Sequence, residues 1–203
     1  MKKLVILCAV LALTACKKEA KEEKPGLGSV IEGVSNLNKM SKSMDKVQEN
    51  IEELKATTPA TNDELKSAIP ETLLGMKRTE ITVGSMSSMG LSSADAKYSS
   101  ENGDKRISIN IADGAGEAGS SIVSLFMLTL NADMEKTTED GFEKTAEING
   151  TKAFVSQNNG EDYVDSEIKY IVKGRYMINA SGDGFTVEEL AKALAEINLS
   201  KLP

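Results

Sequence analysis

Histidine and tryptophan are both absent from the 203 residues of this chain, and only two cysteines occur. Without histidine a catalytic site loses the usual general base near neutral pH, and a metal site loses its commonest ligand. Aromatic residues make up 4% of the sequence, too few for the stacking platforms that hold nucleobases. Lysine and arginine number 24 against 31 acidic residues, a net charge of −7. An acidic chain with no basic stripe lacks the electrostatic footprint of a nucleic-acid binder. What remains is ordinary for a folded protein: 40% of residues are hydrophobic and 27% charged. That supplies enough apolar material for one core, and the length suits one domain with an extension.

The amino terminus reads MKKLVILCAVLALTAC. Lys2 and Lys3 precede an apolar run from Leu4 to Leu13, which is shorter than the roughly 20 residues a membrane-spanning helix needs. A charged start, a short apolar middle and small residues at the end describe a secretory signal. Its last four residues, Leu13-Thr14-Ala15-Cys16, resemble the lipobox of bacterial lipoproteins. In that family a diacylglyceryl group is attached to the cysteine sulfur, signal peptidase II cuts before the cysteine, and the new amino group is acylated. The resemblance implies a signal peptide over 1–15 and lipidation of Cys16, making the chain a membrane-anchored envelope protein. Lys17, in place of Asp, resembles an outer-membrane assignment, on the periplasmic or the surface face.

Cysteine arithmetic agrees with this. Cys8 lies inside the apolar run and leaves with the leader, and lipid occupies Cys16, so no disulfide framework can form. Cys16 is thus an anchor and not a catalytic thiol. After it, residues 17–27 read KKEAKEEKPGL, a charged segment that cannot bury a core and serves as a tether.

Residues 28–57 carry a helical pattern, with Val30, Val34, Leu37, Met40, Met44, Val47, Ile51 and Leu54 spaced by three or four. So narrow an apolar strip suits a single partner surface. Two readings stay open: the helix lies along the domain's own sheet, or it offers Met40, Met44, Val47 and Ile51 to a partner or a second copy. Thr61 and Glu64 then have capping-box spacing before a short helix that closes at Pro70.

From residue 76 the period changes to two. Ile81 and Val83, then Ala94, Ala96 and Tyr98, then Ile107, Ile109 and Ile111 alternate with polar residues. Phe142, Ala146 and Ile148 lead into Asn149-Gly150, a strong hairpin signal. Residues 151–155, 164–172 and 176–180 continue the pattern, with a turn at Lys173-Gly174. Alternation with polar partners favours an antiparallel sheet buried on one face. Residues 120–133 are apolar almost all round and are expected to pack deeply; residues 186–197 open on the capping pair Thr186 and Glu189. The expected fold class is α+β. An N-terminal helix precedes a mostly antiparallel sheet of about seven strands with two further helices packed on it, and residues 58–203 form one domain.

Three motifs invite chemistry. Gly114-Ala115-Gly116-Glu117-Ala118-Gly119 satisfies the dinucleotide-binding spacing. The strand before it alternates with polar residues, however, and Glu117 puts negative charge where a phosphate would sit. We therefore read it as a flexible glycine-rich connection. Met86 and Met89 have thioether spacing, but a copper site wants His or Cys beside them. Carboxylates cluster at Glu161, Asp162, Asp165 and Glu167 and at Asp183, Glu188 and Glu189; they match no calcium loop and read as solvated faces. The sequence thus names no catalytic residue, cofactor or metal ligand. It points to a non-enzymatic, lipid-anchored interaction module, with a carrier or sensor of an apolar ligand as the alternative. An apolar cavity of roughly 300 Å³ or more between the sheet and helix 120–133 would favour the carrier, and a filled core the interaction module.

Overall fold

The computed structural model describes residues 47–203. Cys16, Met40 and Met44 lie outside that range. The fold is α+β, built on one large antiparallel sheet.

Residues 47–56 form α1. The capping box between Thr61 and Glu64 starts α2 (Asn62–Ala68) as its spacing requires, and the helix ends before Pro70. A meander follows: β1 (Thr72–Leu73), β2 (Met76–Val83), β3 (Ser93–Ser99) and β4 (Arg106–Asp113). Helix α3 (Gly116–Asn131) leads to a second meander of β5 (Glu135–Thr138), β6 (Gly141–Ile148), β7 (Thr151–Asn159), β8 (Val164–Val172) and β9 (Tyr176–Asp183). Helix α4 (Val187–Leu194) closes the domain behind the Thr186–Glu189 capping box. The strand order is β1-β2-β3-β4-β9-β8-β7-β6-β5, so the two meanders join at β4 and β9.

Hairpin chemistry sets the register of the second meander. Asn149 and Gly150 have φ of 49° and 76°, and Lys173 and Gly174 have φ of 54° and 63°. Positive φ at both central residues is the twist-matching hairpin turn that glycine and asparagine favour. One-residue alternation then sends every second side chain inward. Cross-strand neighbours pair small with large: Ala94 with Ile111, Ala96 with Ile109, and Ile109 in turn with Ala180. The alanines leave room for the helices on that face. Leu65 and Ala68 of α2 and Leu190, Ala193 and Leu194 of α4 join the same core, together with Leu202 near the C-terminus. Tyr98 donates a hydrogen bond to Pro70 O at 2.7 Å, and Tyr176 donates to Pro203 O at 3.1 Å.

Two expectations need correcting. The sheet has nine strands instead of about seven. The two extra strands, β1 and β5, are its edges; β5 reads EKTT and is exposed throughout. It has no apolar alternation to announce it, and its charges suit an edge that must not recruit another strand. The second correction concerns α3, which starts four residues before the apolar segment and buries only one flank. Val123 and Leu130 are buried, whereas Leu125 and Leu128 are 70% and 49% exposed.

Candidate functional site on the open face of the sheet

α2 and α4 cover one face of the sheet, and the strand period of two places the polar residues on the other. On that face Lys97, Ser108, Ser181, Glu167, Ser156 and Glu143 stand side by side across β3, β4, β9, β8, β7 and β6. The three serines are short and Lys97, Glu167 and Glu143 long, so the row dips at Ser108 and Ser181 and again at Ser156, on either side of Glu167. Two depressions result, of about 360 Å³ and 120 Å³, with Ser181 lining both.

The next row along the strands is a polar ladder. Asn110 Nδ2 donates to Asp95 Oδ1 at 2.7 Å, and Ser85 Oγ donates to Asp95 Oδ2 at 2.7 Å. Asn179 follows Asn110 in register, and its Oδ1 is buried without a hydrogen-bond partner. Ion pairs frame the floor: Lys97–Glu80 at 3.1 Å, Lys169–Glu167 at 2.8 Å and Lys136–Glu143 at 3.5 Å. This surface offers donors and acceptors of both kinds and both signs of charge. Among the described residues, no hydrogen bond joins Ser108, Ser156 or Ser181 to a lysine or carboxylate that could act as base, and no group of three or more acidic or thiol ligands is placed to hold a metal ion. Such a face presents polar groups for complementary contact and, among the described residues, no assembled nucleophile.

A second feature lies at the opposite end of the strands. The outer face there carries Met177 and Ile171, cross-strand neighbours on β9 and β8, and Met127 and Leu130 of α3 stand beside Ile171. Val47 and Asn50 of α1 complete an open groove of about 460 Å³ whose rim includes Asn131, Thr151 and Lys152. The Oδ1 of Asn50 is buried there without a partner.

The strongest polar interaction is one that sequence reasoning missed. Asp113, at the end of β4, is 1% exposed. Its carboxylate accepts both arms of Arg175, from Nε at 2.6 Å and from one terminal nitrogen at 2.8 Å. It also accepts Ala60 N–H at 2.6 Å and Ala115 N–H at 3.0 Å. Arg175 in turn donates to Thr58 O at 3.0 Å and lies over the Tyr176 ring. The carboxylate beside it, despite partial burial, pushes the guanidinium pKa further up. Every acceptor position of Asp113 is thus filled by the protein. It fastens the α1–α2 linker to the sheet and is not poised for catalysis.

The residues singled out from sequence fall as follows. Gly114 and Gly119 belong to a packed corner, not a flexible one. A Cβ on Gly114 would lie 2.5 Å from Arg175 O, and one on Gly119 would lie 2.6 Å from Asp113 O. Their spacing serves the close approach of β4 and α3, which explains the motif without a nucleotide. Met86 and Met89 sit on a short 3-10 turn, Met89 fully on the surface. Of the two carboxylate clusters, the fold brings Asp165, Glu167 and Asp183 to the lining of the 360 Å³ depression, Asp165 and Asp183 as cross-strand neighbours; Glu189 caps α4. Val47 and Ile51 are half-buried, and Leu54 is buried at 4% exposure. This part of the α1 seam therefore faces its own domain.

Among the described residues, no helix is long and apolar enough to cross a membrane. No protein-family profile matches the chain, and no curated protein matches it significantly.

Proposed function

We propose that this chain is an envelope lipoprotein, held by acyl chains on Cys16 at the outer membrane, and that it acts as a non-enzymatic binding module through the open face of its sheet. The observation that carries the reading is the uncovered polar face, with a serine floor framed by ion pairs. Its physics is that of a surface selected for a partner: complementary polar groups without a catalytic pair. The tether places the module at the bilayer, since several acyl chains bind a membrane far more firmly than the marginal hold of one.

Anchoring is tested with a palmitate analogue in cells. The wild-type chain takes up label, and Cys16→Ser takes up none and keeps its leader. Equal labelling of the two would refute the anchor.

A second reading, a carrier of an apolar ligand, draws on the groove beside α3, which exceeds the ~300 Å³ typical of small-molecule sites. It meets the volume and place set for a carrier, but it is open to solvent and bordered by Asn131, Thr151 and Lys152, where a carrier encloses its ligand. One experiment separates the two. A photo-crosslinking amino acid is placed at Ser181, on the open face, or at Met127, in the groove. A binding module gives macromolecular adducts from Ser181. Small-mass adducts from Met127 alone would support the carrier and sink the module.

A further inference from the structure

Val47 lies in the groove beside α3. The outward flank of α3 sets Leu125 and Leu128 among the exposed Glu117, Ser121 and Thr129. No charged residue occurs between Glu117 and Asp133. Leu125 and Leu128 are the most exposed leucines among the described residues, at 70% and 49%, and Met134 in the following turn is 43% exposed. Three of the six large exposed hydrophobic residues among the described residues thus fall within ten positions, and clustering of this kind marks an interaction surface where scattered exposure does not. Phe126 and Ile122 are half-buried.

We propose that this flank is a bilayer-contact ridge. Leu125 and Leu128, with Met134 after the helix, seat in the interfacial region of the membrane that holds the chain and fix one orientation of the domain above it. The proposal rests on the lipid-anchor reading, and what it adds is a second membrane contact.

Geometry supports a bilayer over a second copy. The helix that carries the ridge is 16 residues long, so the ridge offers at most on the order of 240 Å² at ~1.5 Å rise per residue and ~10 Å width. A stable protein interface needs about 800 Å² from each partner. A membrane interface has no such threshold, because partial immersion of an apolar helix flank already counts. Two or three side chains bind a free surface weakly. Here the segment 17–46 reaches at most about 100 Å from Cys16, which keeps the ridge at high effective concentration against the membrane. Fully extended, that segment outreaches the domain, so the anchor alone does not choose which side faces the lipid. The ridge does.

The chain has no tryptophan, so a single introduced one reports its own surroundings. We would take the chain from Cys16 onward, in which that residue is the sole cysteine, and couple it through maleimide to phosphatidylethanolamine–phosphatidylglycerol vesicles with brominated acyl chains. Chemical coupling replaces cellular lipidation, so failure of the anchor reading and failure of this proposal stay distinguishable. The expected result is strong quenching of Leu125→Trp, several-fold more than for Tyr163→Trp, which reports an exposed loop elsewhere. Adding Leu128→Glu should abolish the difference. Equal quenching at both positions would overturn the proposal. So would a blue shift of Leu125→Trp that grows with protein concentration in the uncoupled chain, since that would identify a second copy as the occupant.

Discussion

Arg175→Met is expected to lower folding stability by about 3–5 kcal/mol, because it leaves the carboxylate of Asp113 buried without its counter-charge. The carboxylate is 1% exposed and keeps only the amides of Ala60 and Ala115 as donors. A domain of ordinary stability, ~5–15 kcal/mol, would lose a large fraction of it. Denaturant melts of four proteins check the claim: wild type, Arg175→Met, Asp113→Leu and the double variant. The double variant should be less damaged than the two single losses added together, because removing both partners leaves no buried charge. Additive losses would show that the pair contributes only by filling space. The damage should concentrate where the pair acts, freeing the α1–α2 linker that Arg175 holds through Thr58 O.

A second large effect is expected in alkali. Burial pushes the Tyr98, Tyr170 and Tyr176 phenols from the ordinary value of 10 up to about 12. Tyr98 and Tyr176 also lose a donated hydrogen bond on ionising. A folded-state pKa above the unfolded one favours the fold fully below pH 10, and that contribution disappears as the pH rises towards 12. While the unfolded chain has ionised all three and the folded chain none, stability falls by at most ~4 kcal/mol per pH unit. The domain should therefore unfold cooperatively between pH 10 and 12, with buried tyrosinate absorbance and loss of circular dichroism appearing together. Tyr170→Phe should reduce the steepness by about one third. Tyrosinate formation well ahead of unfolding would contradict the account.

The parts of this fold legible in the sequence are those written in local code. Alternation at Ile107, Ile109 and Ile111 announces a strand buried on one face, Asn149-Gly150 announces its hairpin, and Thr61 and Thr186 announce their helices. β5 was not legible, because an edge strand of glutamate, lysine and two threonines follows no pattern except avoidance of a partner. The exposure of α3 was hidden for the opposite reason. An apolar helix reads the same whether its outer flank meets protein, lipid or water. The candidate site was half visible: polar residues between the apolar ones could be assigned to a solvated face. Only register brings Asp95, Asn110 and Asn179 into one ladder, and register is a property of pairing between distant strands. Asp113 and Arg175 lie 62 positions apart, and nothing local in either neighbourhood points to the other.

The seam between β4 and β9 has a consequence for how the chain assembles in time. The amino terminus leads whether a chain emerges from the ribosome or, as an exported one does, from a membrane channel, so β1 to β4 are available while β9, the last strand, has yet to appear. Until then β4 presents a bare edge eight residues long, carrying Ile107, Ile109 and Ile111. An apolar strand with an unpaired edge is a template for any passing strand, including the same segment of another nascent chain. The middle of the sheet is therefore the last part to close. Its central pairing joins sequence-distant halves, which makes closure slow in comparison with the local hairpins on either side. A chain of this design gains from whatever sequesters β4 during that interval, and overproduction, which crowds nascent chains together, should aggregate it through that strand before any other.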